Sequence, residues 1–449
     1  MSATAPSSAA ELRYSVEPGG ALKGSLRMPG DKSISHRALL LGAIAEGETR
    51  ISGFLAGEDC LATLAAIRAL GVQVESLDDG RLKVQGRGLL GLGAPQAPLD
   101  LGNSGTAIRI LMGLMAGQAF ASTLTGDGSL QKRPMQRVID PLSAMGARIE
   151  SREGGRAPLT VHGVNPLKPL RYVLPMASGQ VKSALLLAGL YAGGYSWVKE
   201  PGPSRDHTER MLSAFGHGCL KENGWIGIHG GGALLATQVE VPADLSSAAF
   251  FLAAAAMLPG SRVLLENVGV NPTRDGILRL LKRMGAEIRL LNPRQLGAEP
   301  VADIEVEGTR LQGIDIGPGE VVLAIDEIPA LLIAAAAARG TTRVRGAGEL
   351  RVKESDRLQA MQEGLATLGG PVESSADGIQ VTGVERFQGG EIQSHGDHRI
   401  AMAFAMAALK AKTPLRIRDC RNVDTSFPGF VSLAAKAGLG ITTREGAAA

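Results

Sequence analysis

Cysteine is scarce in this chain, which has only three among 449 residues, at Cys60, Cys219 and Cys420. An odd number of cysteines lying so far apart indicates no disulfide framework, and their spacing matches no metal site. We therefore expect reduced thiols and a cytoplasmic location.

A strong net charge and long apolar runs are also lacking. The net charge is +3, which gives no reason to expect nucleic acid or a membrane surface as a partner. Apolar runs such as 248–258 and 331–338 are too short to span a bilayer. Residues 1–10 lack the basic start and apolar core of a signal peptide, so we expect a disordered tail.

What remains is the composition of a soluble globular protein, with 44% hydrophobic and 20% charged residues. At 449 residues the chain is too long for one ordinary core, so two or more domains are expected.

An internal repeat determines the predicted fold. In six segments a turn leads into a small-residue, apolar helix that is followed by a β-branched strand. The segments begin at Pro29, Gly102, Pro175, Pro242, Ile325 and Gly396. An amphipathic helix and two more strands follow in most of them, so the unit is predicted to be βαβαββ and roughly 70 residues long.

The sixth unit lacks its final strand, whereas a strand-like segment at 12–16 precedes the first unit. We infer that this segment completes the sixth unit. The prediction is an α/β protein with an N-terminal domain at 26–243 and a C-terminal domain at 11–25 plus 244–449, each of three units. A single solenoid of six units is the alternative, but solenoid repeats are usually shorter.

Polar residues cluster where the helices are predicted to start. In PGDKSISHR, residues 29–37, any of Asp31, Ser33 or Ser35 could cap a helix that ends near Gly47. The other helix starts carry further polar residues, mostly basic: Arg109, Lys132, Arg133, Ser178, Gln180, Lys182, Arg205, Asp326, Glu327, Lys353, Glu354, Arg357, His398 and Arg399. Helix N-termini favour anions, so we expect these residues to face a multiply anionic small ligand in an interdomain cleft.

Five motifs, PGDKSISHR, GNSGTAIR, GDGSLQKRPM, RVKESDRL and GDHRIAM, occur in this order. Together they resemble the 5-enolpyruvylshikimate-3-phosphate synthase family, over about residues 20–440. The resemblance implies two inside-out α/β domains of three βαβαββ units each. It also implies transfer of the enolpyruvyl group of phosphoenolpyruvate to the 5-hydroxyl of shikimate 3-phosphate, a step of the shikimate pathway towards chorismate and the aromatic amino acids.

Residue roles follow from the resemblance, position by position. It implies that shikimate 3-phosphate is bound by Lys32, Ser33, Arg37, Ser178, Gln180, Arg205, Asp326 and Lys353. It implies that phosphoenolpyruvate is bound by Lys32, Gly105, Arg133, Gln180, Arg357 and Arg399. Arginine suits these roles because its planar fork donates two parallel hydrogen bonds to a carboxylate or phosphate.

The implied reaction needs two proton transfers, and the resemblance assigns Asp326 as the base, Glu354 as the acid and Lys32 as a further catalytic group. Read by itself, Asp326 could instead be a helix cap ahead of Pro329. The resemblance implies no cofactor and no metal. We also expect a monomer.

Two positions bear on inhibition by glyphosate. Thr425 in VDTSFPGF stands where many family members have a lysine, as in the class II subgroup that includes glyphosate-tolerant enzymes. Tolerant members can carry Ala where this chain has Gly105, so we expect Gly105 to leave room for the inhibitor.

Two alternative functions would explain part of the pattern. An enolpyruvyl transferase acting on a UDP-sugar would usually have a cysteine in the loop GDGSLQKRPM, and none is present there. A non-catalytic binding module for phosphorylated metabolites would not need Asp326, Lys353 and Glu354 together.

Overall fold

The computed structural model describes residues 11–77 and 80–446. The predicted tail at 1–10 lies outside the described residues. The helices are, in chain order, α1 (Lys32–Ile44), α2 (Glu58–Ala69), α3 (Gly105–Ala116), α4 (Gln136–Ala144), α5 (Gly179–Gly189), α6 (His207–Ala214), α7 (Leu245–Ala256), α8 (Gly276–Arg283), α9 (Pro318–Ala324), α10 (Ile328–Ala336), α11 (Arg357–Thr367), α12 (His398–Ala407) and α13 (Phe430–Ala437).

The strands are β1 (Glu11–Val16), β2 (Lys23–Leu26), β3 (Ala45–Ser52), β4 (Gln73–Ser76), β5 (Leu82–Arg87), β6 (Leu99–Asp100), β7 (Ala121–Thr125), β8 (Arg148–Arg152), β9 (Arg156–His162), β10 (Arg171–Val173), β11 (Tyr195–Lys199), β12 (Leu220–Glu222), β13 (Trp225–His229), β14 (Leu234–Leu235), β15 (Gln238–Glu240), β16 (Arg262–Gly269), β17 (Glu287–Leu296), β18 (Glu299–Glu307), β19 (Asp315–Ile316), β20 (Thr341–Arg345), β21 (Val372–Ser375), β22 (Gly378–Thr382), β23 (Gly390–Gln393), β24 (Leu415–Arg418) and β25 (Ile441–Gly446).

The strands of the described residues form six sheets that share one order. In β6-β7-β9-β8, for example, the first two strands are parallel, and the fourth strand of the unit lies antiparallel between the second and the third. The same order recurs in β10-β11-β13-β12 and in β19-β20-β22-β21. The predicted six-fold repeat is therefore present in the hydrogen bonding.

Three sheets contain one or two strands from a distant part of the sequence. β1 lies between β24 and β25, the place that the sixth unit left open, so the inference about residues 12–16 is confirmed. β2 pairs in parallel with β16 of the fourth unit, and β14 and β15 pair in parallel with β3 of the first. The chain thus passes twice between the three sheets of the first three units and the three sheets of the last three.

The buried apolar residues form two clusters, one from residues between 34 and 241 and one from residues 14–28 and 243–441. Leu26 and Met28 pack in the second cluster, so the first crossing lies a few residues beyond the predicted residue 25. We call residues 32–241 the N-terminal half, residues 11–28 with 245–446 the C-terminal half, and residues 29–31 and 242–244 the two crossings. The exact division into domains stays a prediction.

The first helix of each unit lies inside and the sheets lie outside. α7, α10 and α12 contact one another, and α3 contacts α1 and α5. Their alanine- and leucine-rich sequences permit this, and every residue of α7 is buried. The second helices are amphipathic: α8 buries Ile277 and Leu281 but exposes Arg279. None of the helices in the described residues is long and apolar enough to cross a bilayer.

One local prediction is wrong, and one helix is missing from the predictions. α1 ends at Ile44 and passes directly into β3, so Gly47 lies in that strand and does not end the helix. α9 was not predicted; it begins with Pro318, and the Glu320 side chain accepts from the backbone N–H of Gly317 at 3.0 Å. Proline at the first helical position followed by Glu is a sequence signal for such a helix.

Candidate active site

The two crossings lie side by side at the base of a cleft between the halves. The backbone N–H of Asp31 donates to the Pro242 carbonyl at 2.8 Å, and that of Asp244 donates to the Pro29 carbonyl at 2.9 Å. Gly30 is required here, because a Cβ at this position would lie 1.9 Å from the Gly53 carbonyl oxygen. α1 and α7 therefore begin next to each other.

The start of α1 brings Lys32 and Ser33 to the cleft. Among the three candidate caps, Asp31 is the one used: its side chain accepts from the backbone N–H of Ile34 at 2.9 Å. Lys32 Nζ forms an ion pair with Asp59 at 2.9 Å. Burial by itself would lower the pKa of Lys32, but Asp59 and Glu354 raise it, so the side chain stays an ammonium ion.

The cleft contains two adjoining cavities, a smaller one of about 70 Å³ and a larger one of about 530 Å³. All but one of the predicted site residues line them: Lys32, Ser33, Arg37, Gly105, Arg133, Ser178, Gln180, Arg205, Asp326, Lys353, Glu354 and Arg399. The exception is Arg357, which is almost fully buried behind Asp326 and Glu354. The cleft is thus lined by both halves.

Asp326 lies among four cations. Its carboxylate is 2.7 Å from Arg205, 3.4 Å from Arg357, and 4.0 Å from both Lys353 and Arg399. Burial would raise the pKa of this carboxyl, but the cations, Arg399 most strongly, hold it well below its ordinary value. It does not cap α10, whose N-cap position is Glu327, so the interpretation of Asp326 as a cap is wrong.

Glu354 has a similar environment. It pairs with Arg357 and, at 3.4 Å, with Arg133 from the N-terminal half. Burial would raise its pKa, but Arg357 and Arg133 hold it well below the ordinary value. Lys353 shows the opposite balance, because burial outweighs Asp326 and Glu349 and lowers its pKa. The site therefore holds two ionised carboxylates between cations from both halves.

Gly105 begins α3 directly beneath two guanidinium groups. A Cβ at Gly105 would lie 2.8 Å from Nη1 of Arg109 and 3.0 Å from Nη1 of Arg133. Arg109 donates to Gln180 Oε1 at 2.9 Å, and burial, followed by the charges of Arg137 and Arg133, lowers its pKa to about 9. The absence of a side chain at Gly105 thus leaves the arginines room to meet a ligand.

Arg37 lines the larger cavity but is already hydrogen-bonded. It donates to the Ser33 carbonyl at 2.8 Å and to the hydroxyl oxygens of Thr208 and Ser183 at 2.7 Å each. These bonds use three of the five guanidinium N–H groups, so two remain to contact a substrate.

Besides Arg357, four of the residues expected at the cleft line neither cavity: Lys132, Lys182, Glu327 and His398. Glu327 and His398 are buried. Lys182 is buried away from the cleft and pairs with Glu200 and Glu209 at 2.8 Å each. Lys132 is exposed.

Several residues of the cleft were not assigned to the site from the sequence. They are Asp59, Thr106, Arg137, Asp244, Ser246, Arg274 and Glu349, whereas Arg109 lines the smaller cavity as expected. Arg137 pairs with Glu349 of the C-terminal half at 2.8 Å. It follows Arg133 by four residues, a spacing that could have suggested a shared face. The acidic residues carry no comparable signal in the sequence.

Thr425 lies in a 3₁₀ turn, 421–425, and its hydroxyl donates to the Asn422 carbonyl at 2.7 Å. Its own carbonyl oxygen packs against Gly57, where a Cβ would lie 2.7 Å from it. Thr425 lines neither cavity. Among the described residues, no group of three or more His, Cys, Asp or Glu side chains could hold a metal ion.

Comparison with known proteins gives a consistent result. The model of one protein family, described as EPSP synthase (3-phosphoshikimate 1-carboxyvinyltransferase), matches residues 16–433. The 3-phosphoshikimate 1-carboxyvinyltransferase of Alkalilimnicola ehrlichii is 59% identical over 431 residues, covering 96% of this chain and 97% of the relative. That of Methylococcus capsulatus is 57% identical, with 96% and 98% covered. The solved structure of EPSP synthase from Acinetobacter baumannii has a TM-score of 0.86 at 50% identity, covering 97% of this chain and 100% of that one.

Proposed function

The chain belongs to the EPSP synthase family, and from that premise we propose that its interdomain cleft carries out the family's reaction. The enzyme transfers the enolpyruvyl group of phosphoenolpyruvate to the 5-hydroxyl of shikimate 3-phosphate and releases phosphate. The UDP-sugar alternative and the non-catalytic alternative are therefore wrong. The observation that carries the proposal is the pair of carboxylates, Asp326 and Glu354, held among cations from both halves.

We assign the two anionic substrates to the cations and hydroxyls of the cleft. Shikimate 3-phosphate is held by Ser33, Arg37, Ser178, Arg205 and Lys353, and phosphoenolpyruvate by Gly105, Arg133 and Arg399. Arg357 acts on phosphoenolpyruvate through its charge, from behind Asp326 and Glu354. We assign Lys32 and Gln180 to both substrates: both residues line the smaller cavity, and Gln180 also lines the larger one. The buried guanidinium groups supply the bidentate donors that carboxylate and phosphate prefer.

In the first step the 5-hydroxyl oxygen bonds to C2 of phosphoenolpyruvate. Asp326 takes the hydroxyl proton and Glu354 gives a proton to C3, which produces a tetrahedral ketal phosphate. In the second step Glu354 takes a proton back from the C3 methyl, the C–O bond to phosphate breaks, and Asp326 returns its proton to the leaving phosphate. Lys32 stabilises the negative charge that develops between the substrates.

The charge balance suggests how binding activates the acid. Without ligands, Arg133 and Arg357 keep Glu354 ionised, and an ionised carboxylate cannot donate a proton. A bound phosphoenolpyruvate brings its own negative charges to these arginines, so less of their field acts on Glu354. Burial, which raises the pKa of Glu354, is then opposed less strongly, so the acid takes up a proton more readily.

The test is to incubate the protein with shikimate 3-phosphate and phosphoenolpyruvate and to follow phosphate release. We expect release only when both substrates are present. Release with a UDP-sugar in place of shikimate 3-phosphate, or no release at all, would contradict the proposal. We further propose that the enzyme is a cytoplasmic monomer and that glyphosate competes at the phosphoenolpyruvate site beside Gly105.

A further inference from the structure

We propose that Arg274 is a positioning residue for this reaction, which fixes the starts of three helices relative to one another across the crossings. The inference rests on the proposed function, since two of these helix starts carry Lys32 and Asp326. Arg274 belongs to neither helix and follows β16 in a short loop before α8. Its side chain is only 3% exposed.

The first contact joins Arg274 to both crossings. One terminal nitrogen, Nη1, donates to Asp31 Oδ2, and the other, Nη2, donates to Asp244 Oδ1 at 2.8 Å. Burial by itself would lower the pKa of Arg274, but the two aspartates raise it above its ordinary value, so the guanidinium stays charged. One planar group therefore connects two segments that are more than 200 residues apart in the sequence.

Both aspartates are helix caps, so the guanidinium acts on helix starts. Asp31 Oδ1 accepts from the backbone N–H of Ile34 at 2.9 Å and caps α1, whose first residue is Lys32. Asp244 Oδ1 accepts from the backbone N–H of Ser246 at 2.8 Å and caps α7. The segments PGDKS at 29–33 and PADLS at 242–246 occupy the same place in the repeat, and Arg274 lies between the two copies.

The contact extends to a third helix. Arg274 Nη2 also donates to Ser246 Oγ at 2.7 Å, and this hydroxyl donates to Glu327 Oε1. Glu327 is fully buried at the N-cap position of α10 and directly follows Asp326. The chain of contacts therefore runs from the start of α1, through the guanidinium, to the residue beside the proposed base.

Arginine is suited to this position and lysine is not. The guanidinium presents donors in a fixed plane, so that it can meet two carboxylates and a hydroxyl at once, whereas an ammonium is a single point charge on a flexible stem. We therefore expect that Arg274→Lys keeps the buried charge, and with it the fold, but loses the fixed geometry.

The first experiment measures steady-state kinetics, thermal melting and binding of shikimate 3-phosphate alone for Arg274→Lys. We expect a melting temperature near that of the wild type and near-normal binding, but a kcat lower by about 10²-fold, the cost of a displacement of about 1 Å in a reacting group. Arg279→Gln is the matched control, because Arg279 is exposed nearby and contacts Asp275 and the Pro272 carbonyl instead of the crossings. Its kinetics should be unchanged. A folded Arg274→Lys enzyme with wild-type kcat would overturn the proposal.

A second experiment separates positioning from stability if Arg274→Lys fails to fold. In the triple variant Arg274→Gln with Asp31→Asn and Asp244→Asn, the unpaired charges of both aspartates are removed, and asparagine can still cap α1 and α7. We expect this variant to melt near the wild type and to remain slow. Recovery of kcat together with stability would show that Arg274 has a structural role only. An inactive wild-type enzyme in the same assay would instead reject the proposed function.

Discussion

The two halves of the molecule are built from the same repeat but present different chemistry to the cleft. The N-terminal half lines the smaller cavity with five cations, Lys32, Arg109, Arg133, Arg137 and Arg205, and with a single carboxylate, Asp59. The C-terminal half lines it with Asp326, Glu349 and Glu354 besides Arg274, Lys353 and Arg399. The comparison teaches that one scaffold position, a helix start, can serve either to bind anions or to hold the groups that move protons.

The difference arises from the partners of the charged side chains in each half. Lys32 pairs with Asp59 of its own half, and Arg109 donates to Gln180. The other three cations that this half contributes to the smaller cavity, Arg133, Arg137 and Arg205, pair with carboxylates of the C-terminal half. They therefore direct a positive field across the cleft, which attracts anions. The carboxylates of the C-terminal half are buried beside arginines, so their protonation depends on what else those arginines contact. We expect variants in the N-terminal half to affect mainly binding and variants in the C-terminal half to affect mainly turnover.

The variant with the largest expected effect is an exception to this division between binding and turnover. Lys32 lies in the N-terminal half but reaches both substrates, so Lys32→Ala should abolish turnover while the fold stays intact. Steady-state kinetics and a thermal melt measure this, with Lys83→Ala as the control, because Lys83 forms an exposed pair with Glu75. An active Lys32→Ala enzyme would remove Lys32 from the proposed mechanism.

The next prediction compares one residue from each half. Glu354→Gln should lower kcat by about 10² to 10⁴-fold, the usual contribution of general acid catalysis, with little change in binding of shikimate 3-phosphate. Ser178→Ala should raise the KM for shikimate 3-phosphate with kcat almost unchanged, since it removes one hydroxyl from the binding half. Equal changes of kcat in the two variants would contradict the division of roles.

Gly105→Ala should produce a smaller and more selective effect. The added Cβ would press on Nη1 of Arg109 and of Arg133, which lie 2.8 and 3.0 Å away, and would narrow the cavity there. We expect the inhibition constant of glyphosate to rise more than the KM for phosphoenolpyruvate. Gly128→Ala is the control, because a Cβ at Gly128 meets nothing within 4 Å. Equal rises in both constants would refute the idea that Gly105 makes room for the inhibitor.

The smallest expected effect concerns the ion pair that joins the halves at the rim, Arg137–Glu349. A double-mutant cycle with Arg137→Gln and Glu349→Gln, measured by denaturant unfolding, should give a coupling of about 0.5–1 kcal/mol, as for other partly exposed pairs. Burial would raise the pKa of Glu349, but Lys353 and Arg137 lower it overall. The coupling should therefore be full above the ordinary pKa of Glu and disappear as the pH falls below it. A coupling that is unchanged at acid pH would show that the pair does not act through charge.

The repeat and most of the site could be predicted because both depend on local sequence. Helix starts carry characteristic residues, so the sequence alone locates Lys32, Gly105 and Ser178. The side of the helix on which a side chain lies is harder to predict from the sequence. Lys182 follows Gln180 by two residues, which is a rotation of roughly 200° around the helix, so the two side chains face opposite sides. The expectation that Lys182 faces the cleft is wrong for this reason.

Contacts across the crossings could not be predicted at all. Arg274 is joined to Asp31 only because the chain passes twice between the halves at the same place, and no local pattern marks a partner 243 residues away. Arg357 shows a related limit, since the sequence identifies an arginine at a helix start but not that Asp397 holds it at 2.8 Å behind the cavity.

The placement of β1 has a consequence for how the chain could be reconnected. In the N-terminal units the third and fourth strands follow each other in the sequence, as β4 and β5 do, but in the last sheet these places belong to β25 and β1. Glu11 lies in register with Gly446 in an antiparallel pair, so a tight hairpin turn would join them. A circular permutant joined there and opened near residue 28 would have each half as one continuous stretch. Its halves would be linked by a single covalent connection, and they could be produced as separate chains and mixed.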